Sequence, residues 1–184
     1  MAYHETLSGR RVFYENDNGE WAMYTGEARY AYFFDLIGAK WIKDERRYYL
    51  GDTLSYLPDF TLHNKGLRNL IVEVKNRNIE QIKPIDFIKL DRMYEKGHDI
   101  LVVRKPLQDM RFLKDDHDTS NCFFYSGKYI HGCNEEDMIW FKRDDHGEPI
   151  IAKLTEYSGL DFLREAMTAN AHVFQPCYEE DDEW

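Results

Sequence analysis

The stretch SYLPDFTLHNKGLRNLIVEVK, residues 55–75, carries the pattern that decides the fold of this chain. It holds two apolar runs, at residues 55–62 and 70–74, and a polar interruption, HNKG, at residues 63–66. Two short apolar runs that flank a glycine-containing turn are typical of a β-hairpin. The stretch therefore predicts two antiparallel strands in direct succession.

The turn of this hairpin brings charged side chains together. Asp59 and Glu73 are equidistant from Gly66, so a turn centred on Gly66 sets them opposite one another, and directly opposed residues project from the same face. Side chains alternate along a strand, so Lys75 shares that face with Glu73. One face of the hairpin is thus predicted to collect two carboxylates and an ammonium group.

The segments on either side of the hairpin predict an α/β fold. Residues 25–37, TGEARYAYFFDLI, have apolar side chains at helical spacing, and residues 84–96 begin with a proline suited to a helix start. Residues 41–50 and 100–103 have the composition of strands. From Thr25 the predicted order is helix, three strands, helix, strand, which favours a mixed central sheet flanked by helices.

The outer parts of the chain predict fewer elements. Asn16–Gly19 marks a turn between two short runs that are expected to pair as strands. Further strands are predicted at residues 121–131 and 137–143, and a closing helix at residues 158–171.

Length and composition predict one domain. A chain of 184 residues is long enough for one buried core and too short for two ordinary domains. We expect this domain to span residues 1–178, with a core at about 25–104, an extension at 105–178 and an acidic tail at 179–184. The sequence contains neither a long apolar run nor a cleavable signal, which predicts no membrane contact and a cytoplasmic location.

The charge distribution bears on the kind of partner. The formal net charge of −10 argues at first against a nucleic-acid partner, because phosphate binding normally needs basic side chains. Residues 61–111, however, contain eleven Lys and Arg against seven Asp and Glu, so a modest basic zone includes the hairpin. In this zone Arg77, Lys83 and Lys89 are candidate nucleic-acid contacts. The alternative is that they are solvated surface charges, which are more common.

The two opposed carboxylates need a compensating charge. They repel each other, and burying each of them costs several kcal/mol unless something offsets it. A divalent cation would compensate both Asp59 and Glu73, and Mg²⁺ prefers oxygen ligands of this kind. Lys75 beside such an ion could stabilise the negative charge that develops during phosphodiester hydrolysis. The alternative is an exposed charge face without chemistry, since E-x-K tripeptides are frequent by chance.

A family resemblance rests on YLPDF at residues 56–60 and IVEVK at residues 71–75. Together these segments resemble the motif of the PD-(D/E)xK nuclease superfamily, whose fold is restriction-endonuclease-like. The resemblance implies an αβββαβ core that binds Mg²⁺ or Mn²⁺. It also implies Asp59 and Glu73 as metal ligands, Val74 as a further metal contact, and Lys75 as a catalytic residue.

A glutamate of the first helix is a further candidate. Many members of this superfamily use one, and GEARYAYFFDLIG at residues 26–38 resembles that helix, with Glu27 in the matching place. The alternative role of Glu27 needs no catalysis, because a carboxylate in the first turn of a helix is favoured by the helix dipole by about 0.3–1 kcal/mol. Both interpretations stay open at this point.

The resemblance predicts a small endonuclease of phage or mobile-element type that cleaves DNA in the cytoplasm of a bacterial or phage-infected cell. Double-strand cleavage would need two such sites and therefore a homodimer. One alternative is a nuclease-like fold without turnover that binds DNA or protein, with the acidic tail as a contact for a protein partner. Another is an acidic nucleic-acid mimic that inhibits a basic partner, for which the net charge of −10 is the support.

Overall fold

The computed structural model describes residues 11–43, 45–51, 53–67, 69–75, 83–104, 122–125, 130–131, 139–153 and 162–177. Its helices and strands, in chain order, are β1 (Arg11–Asn16), β2 (Gly19–Tyr24), α1 (Thr25–Ile37), β3 (Trp41–Lys43), β4 (Tyr48–Tyr49), β5 (Ser55–Tyr56), β6 (Phe60–Leu62), β7 (Leu70–Lys75), α2 (Pro84–Glu95), β8 (Ile100–Arg104), β9 (Cys122–Tyr125), β10 (Ile130–His131), β11 (Ile139–Arg143), β12 (Pro149–Lys153), α3 (Leu163–Ala171) and β13 (Gln175–Pro176). The fold is mixed α/β, as predicted.

The main sheet has six strands in the order β10-β9-β8-β7-β6-β3. Among the described strands, β7 and β8 alone pair in parallel, and α2 lies between them in the chain. The other neighbours pair antiparallel, so the sheet is mixed. From α1 onward, the strands of the main sheet and the helices between them follow the predicted order. This order is one helix (α1), three strands (β3, β6 and β7), a second helix (α2) and a further strand (β8).

The predicted hairpin is confirmed as β6 and β7. Phe60 pairs with Val72 and Leu62 with Leu70, which is the register of a turn centred on Gly66. The prediction of unbroken strands at 41–50 and 55–62 is wrong, because β4 and β5 pair with each other and not with the main sheet. Pro58, between β5 and β6, has no N–H for a ladder hydrogen bond.

The two faces of the main sheet are covered by different helices. On one face, Val72 and Leu101 belong to a buried cluster that includes most of α1. On the other face, Ile71 packs with Leu90 and Met93 of α2. Side chains that alternate along β7 therefore face two separate apolar clusters, and the strand is buried on both sides until it reaches its last two residues.

The helices largely match the sequence patterns. The predictions of α1 and α2 are confirmed, with α1 ending at Gly38 in a left-handed conformation (φ 75°) and α2 beginning at Pro84. The closing helix, α3, begins at Leu163, and residues 158–161 of its predicted span lie outside the described residues. Among the described residues, no helix is both long and apolar enough to cross a membrane.

The C-terminal part packs onto the core. The strands β9 and β10 extend the main sheet, and β13 pairs with β1 beside the hairpin of β1 and β2. Phe141 of β11 lies 5.5 Å from Phe33 and 5.8 Å from Phe34, measured between ring centroids. The sequence patterns missed β12 and β13. The acidic tail at 179–184 lies outside the described residues.

The hairpin of β1 and β2 is held to the core by Asp35 of α1. Its carboxylate accepts hydrogen bonds from the Tyr14 hydroxyl, from Asn16 Nδ2 at 2.8 Å and from Trp41 Nε1 at 2.7 Å. Burial raises the pKa of Tyr14 above its usual range, and the hydrogen bond that the Tyr14 hydroxyl donates to Asp35 raises it further. Asp35 therefore joins β1, α1 and β3 through three donors.

We expect Asp35→Ala to destabilise the protein by about 2–4 kcal/mol, because it leaves part-buried donors without an acceptor. For a chain of this size the melting temperature should fall by roughly 5–15 °C, measured by differential scanning calorimetry. Asp17→Ala, which removes an exposed carboxylate from the nearby turn, is the matched control and should change it little. A similar small change in both variants would contradict the structural role of Asp35.

Candidate active site

Five charged side chains meet at one end of the β6–β7 hairpin. They are Glu27 from the first turn of α1, Lys43 from the end of β3, Asp59 immediately before β6, and Glu73 and Lys75 from β7. Strand pairing explains their proximity, since Phe60 pairs with Lys43 on one side and with Val72 on the other. Extended by one position, the register sets Asp59 opposite Glu73.

Asp59 lies between two pairs of charged side chains. Its Oδ2 accepts a 2.7 Å hydrogen bond from the Val74 amide, and its Oδ1 lies 4.0 Å from Lys43 Nζ. Burial raises the pKa of Asp59 well above its usual value, and the negative charges of Glu73 and Glu27 raise it further. Lys43 and the Val74 amide oppose this rise without cancelling it. Asp59 is thus a crowded carboxylate that an added positive charge would favour.

Glu73 is buried and has two partners. Its Oε1 lies 2.5 Å from Lys75 Nζ, and its Oε2 accepts a 2.5 Å hydrogen bond from the Tyr56 hydroxyl. Burial and the charge of Glu73 raise the pKa of Tyr56 well above its usual value, so the hydroxyl stays protonated and donates. These contacts fix the orientation of the Glu73 carboxylate.

Lys75 keeps its positive charge in this environment. Burial lowers the pKa of Lys75, but the charge of Glu73, its hydrogen bond, and the charges of Asp59 and Asp86 outweigh burial and raise it. A lysine with a raised pKa is an electrostatic group and a hydrogen-bond donor rather than a base near neutral pH.

Glu27 and Lys43 form the other half of the cluster. Their charged groups lie 2.6 Å apart, and Lys43 Nζ lies 5.1 Å from the centre of the Phe60 ring. Glu27 therefore reaches the site while also occupying the first turn of α1. Sequence reasoning missed Lys43 and Tyr56, whose contacts depend on how β3 and β5 lie relative to the hairpin.

The predicted nucleic-acid contacts fall in different places. Lys89 lines a cavity of about 210 Å³ with Glu73 and Lys75, and Arg47 adds a third positive charge to its wall. Lys83 is exposed immediately before α2. Arg77 lies outside the described residues. The cavity next to Lys75 therefore presents three cationic side chains of the kind that contact phosphate groups, beside the carboxylates of Glu73 and Asp86.

The fit of a metal ion depends on the donors in the cluster. Within the described ranges no group of three or more His, Cys, Asp or Glu side chains is arranged to hold a metal ion as it stands, and Lys43 and Lys75 contact the carboxylates that an ion would use. The donors of the cluster are the carboxylate oxygens of Glu27, Asp59 and Glu73, a type of donor that Mg²⁺ and Mn²⁺ prefer, whereas at Val74 the contact with the cluster is the amide N–H, which donates to Asp59. The chemistry of these donors therefore fits such an ion, provided that the lysine contacts give way to it.

The fold and the site define a class: a mixed α/β protein with a half-buried acid–lysine cluster at one end of a hairpin. Neither family models, nor curated proteins, nor solved structures gave a match to this chain. The functional argument therefore depends on the geometry of the cluster.

The crowding of Asp59 has a measurable effect on stability. Because the pKa of Asp59 is raised, its ionised form destabilises the folded state near neutral pH, and this cost disappears once the pH falls below an ordinary carboxyl pKa. Asp59→Asn removes the charge and keeps an oxygen for the Val74 amide. In EDTA at pH 8 we expect Asp59→Asn to melt at a higher temperature than wild type. Each kcal/mol gained in the free energy of unfolding should raise the melting temperature by about 2–4 °C.

The pH dependence and added metal provide the checks. The difference between Asp59→Asn and wild type should shrink as the pH approaches 4, measured by scanning fluorimetry. Added Mg²⁺ should stabilise wild type and not the variant. Asp145→Asn, at an exposed position, should match wild type throughout, and an Asp59→Asn protein that melts lower at pH 8 would disprove the crowding of this carboxylate.

Proposed function

We propose that this protein is a metal-dependent endonuclease that hydrolyses DNA phosphodiester bonds through a PD-(D/E)xK site. The observation that carries the proposal is the convergence of Glu27, Asp59 and Glu73 with a protonated Lys75 at one end of the hairpin. The order α1, β3, β6, β7, α2, β8 also supports a restriction-endonuclease-like core.

The carboxylates would hold the ion. Asp59 and Glu73, with the main-chain oxygen of Val74 and with Glu27 as an outer ligand, would bind Mg²⁺ or Mn²⁺. When bound, the ion supplies Lewis acidity and lowers the pKa of a coordinated water. Tyr56 holds the Glu73 carboxylate in one orientation through its hydroxyl.

The cationic side chains act on the substrate. The protonated Lys75 donates to a phosphate oxygen and stabilises the negative charge that grows there during attack by water. Lys89 and Arg47, in the wall of the same cavity, hold the phosphate group and orient the strand. The site thus combines acid ligands on one side of the phosphate with positive charges on the other.

A plasmid-nicking assay with Mg²⁺ or Mn²⁺ tests the proposal. Wild type should convert supercoiled DNA to nicked or linear forms, and EDTA should abolish this. Asp59→Ala, Glu73→Ala and Lys75→Ala should each lower the rate by roughly 100-fold or more, the usual scale for losing a transition-state contact.

Matched controls separate the site from general charge effects. Glu95→Ala removes an exposed carboxylate that pairs with Arg92, and Lys96→Ala removes an exposed ammonium after α2; both should cut like wild type. Full activity in all three site variants, with folding verified by circular dichroism, would refute the assignment.

Lys43 should compete with the ion for the same carboxylates. Its ammonium group lies 2.6 Å from Glu27 and 4.0 Å from Asp59, so its removal leaves the cluster more negative. We expect Lys43→Met to bind Mn²⁺ roughly fivefold more tightly, which corresponds to about 1 kcal/mol, measured by isothermal titration calorimetry.

The control for Lys43 is a lysine that is not part of the cluster. Lys142→Met, at an exposed position of β11, removes the same charge and should leave Mn²⁺ binding unchanged. Weaker binding in Lys43→Met than in wild type would mean that this lysine supports the metal site and does not compete with it.

A second candidate function is a nuclease-like binding module without turnover. The observation that favours it is the pairing of Glu27 with Lys43 and of Glu73 with Lys75, which leaves two of the three carboxylates already neutralised. The nicking assay distinguishes the candidates, since DNA binding without cleavage under any metal condition supports the binding module.

A further inference from the structure

An open groove lies beside the acid cluster, between the β1–β2 turn and β3. We name it the tryptophan groove. It has a volume of about 890 Å³, and its lining includes Asn16, Asn18, Trp21, Lys40, Trp41 and Lys43. We propose that the tryptophan groove binds an unpaired base of a nucleic-acid strand whose phosphate lies at the acid cluster, an inference that rests on the proposed nuclease function.

Two indole rings form the apolar surface of the groove. The ring centroids of Trp21 and Trp41 lie 4.9 Å apart at an interplanar angle of 51°. Both side chains are partly buried and both line the groove, so part of each ring is accessible from it. Aromatic platforms of this kind bind bases by stacking, because every base has a flat π-face.

The platform is fixed before any ligand arrives. Trp41 Nε1 donates to Asp35 at 2.7 Å, and its ring packs edge-on against Phe60 with centroids 5.4 Å apart. Tyr14 packs against both indoles. A ring held on several sides loses little conformational entropy on binding, which favours affinity.

The groove is continuous with the acid cluster through Lys43. This residue lines the groove and also lies 4.0 Å from Asp59. Trp41 precedes it by two positions on β3, so the two side chains point to the same side and are separated by about 7 Å along the strand. That separation is comparable to one nucleotide of an extended strand, so a base on Trp41 brings its phosphate toward Lys43.

The groove lining carries charges of both signs. Lys40 and Lys43 contribute two positive charges, and Asp17 and Asp35 contribute two negative ones. The Asp35 carboxylate accepts three hydrogen bonds from the protein, which hold it against the protein. Lys43 contacts Glu27 at 2.6 Å, and Lys40 is exposed, so Lys40 is the cation of this lining that is placed to contact a phosphate beside a stacked base.

The proposal defines the substrate class. In a duplex both faces of a base are covered by its neighbours, so only an unpaired or extruded base can stack on indole rings. Suitable substrates are single strands and duplexes with a flap, gap or junction next to the cut.

Intrinsic tryptophan fluorescence tests this directly on the whole protein in EDTA, which prevents hydrolysis under the proposed mechanism. The probes are a short oligothymidylate, an abasic oligonucleotide of equal length, a blunt duplex and a neutral oligosaccharide. Oligothymidylate should quench the fluorescence and bind roughly tenfold more tightly than the abasic strand, the scale of one stacked base.

Variants identify the ring that stacks. Trp21→Ala should lose most of the quenching and the preference for bases, and Trp21→Phe should keep the preference. Phe13→Ala, which removes an exposed aromatic side chain from β1 that does not line the groove, should behave as wild type. The comparison of oligothymidylate with the abasic strand uses wild type alone and decides the matter even where Trp21→Ala does not fold.

Four outcomes overturn the inference: equal affinity for abasic and base-bearing strands, duplex binding as tight as single-strand binding, quenching by the oligosaccharide alone, or unchanged base preference in a folded Trp21→Ala. The nicking assay keeps the two proposals apart. Plasmid cleavage combined with any of these outcomes overturns the groove and leaves the nuclease. Base-dependent binding without any cleavage supports the groove and overturns the nuclease.

Discussion

The antiparallel register of β6 and β7 is the constraint on which the site depends. Phe60 faces Val72 in this register, and the next position brings Asp59 opposite Glu73. A shift by one residue would put the side chains of β7 on the opposite faces and separate the two acids. The apolar residues of both strands resist such a shift, because β6 is buried throughout and β7 is buried from Leu70 to Glu73. The core therefore determines which charged groups meet.

Bringing these groups together creates an imbalance of charge that the protein only partly relieves. Three carboxylates share two ammonium groups, and the pKa of Asp59 is raised first by burial and then by the negative charges of Glu73 and Glu27. Such strain is common at functional sites, where stability is lower than the fold could otherwise reach. A purely structural cluster would gain from a third positive partner or from a neutral residue at position 59. A divalent cation would relieve this imbalance, in agreement with the proposed metal site.

The sequence predicted the parts of this arrangement that depend on local pattern. The hairpin followed from two apolar runs around Gly66, and α1 followed from its helical spacing and its glycine stop. Lys43 was not predicted, because its role depends on β3 pairing with β6, seventeen to twenty-one residues away. The breaks inside 41–50 and 55–62 have the same origin, since β4 and β5 pair with each other. The strand β13 depends on a partner at the other end of the chain.

The strand β3 connects the acid cluster with the tryptophan groove. It presents Trp41 to the tryptophan groove and Lys43 to both the groove and the acid cluster. Its pairing with β6 fixes the distance between them, and the hydrogen bond from Trp41 to Asp35 fixes one ring against α1. Sites built on paired strands and helices keep their geometry better than sites on loops. A substrate strand that follows β3 would therefore meet a rigid path, in which the position of one base determines the position of the neighbouring phosphate. Selection of an unpaired base and orientation of the phosphodiester are in this view consequences of the same strand pairing.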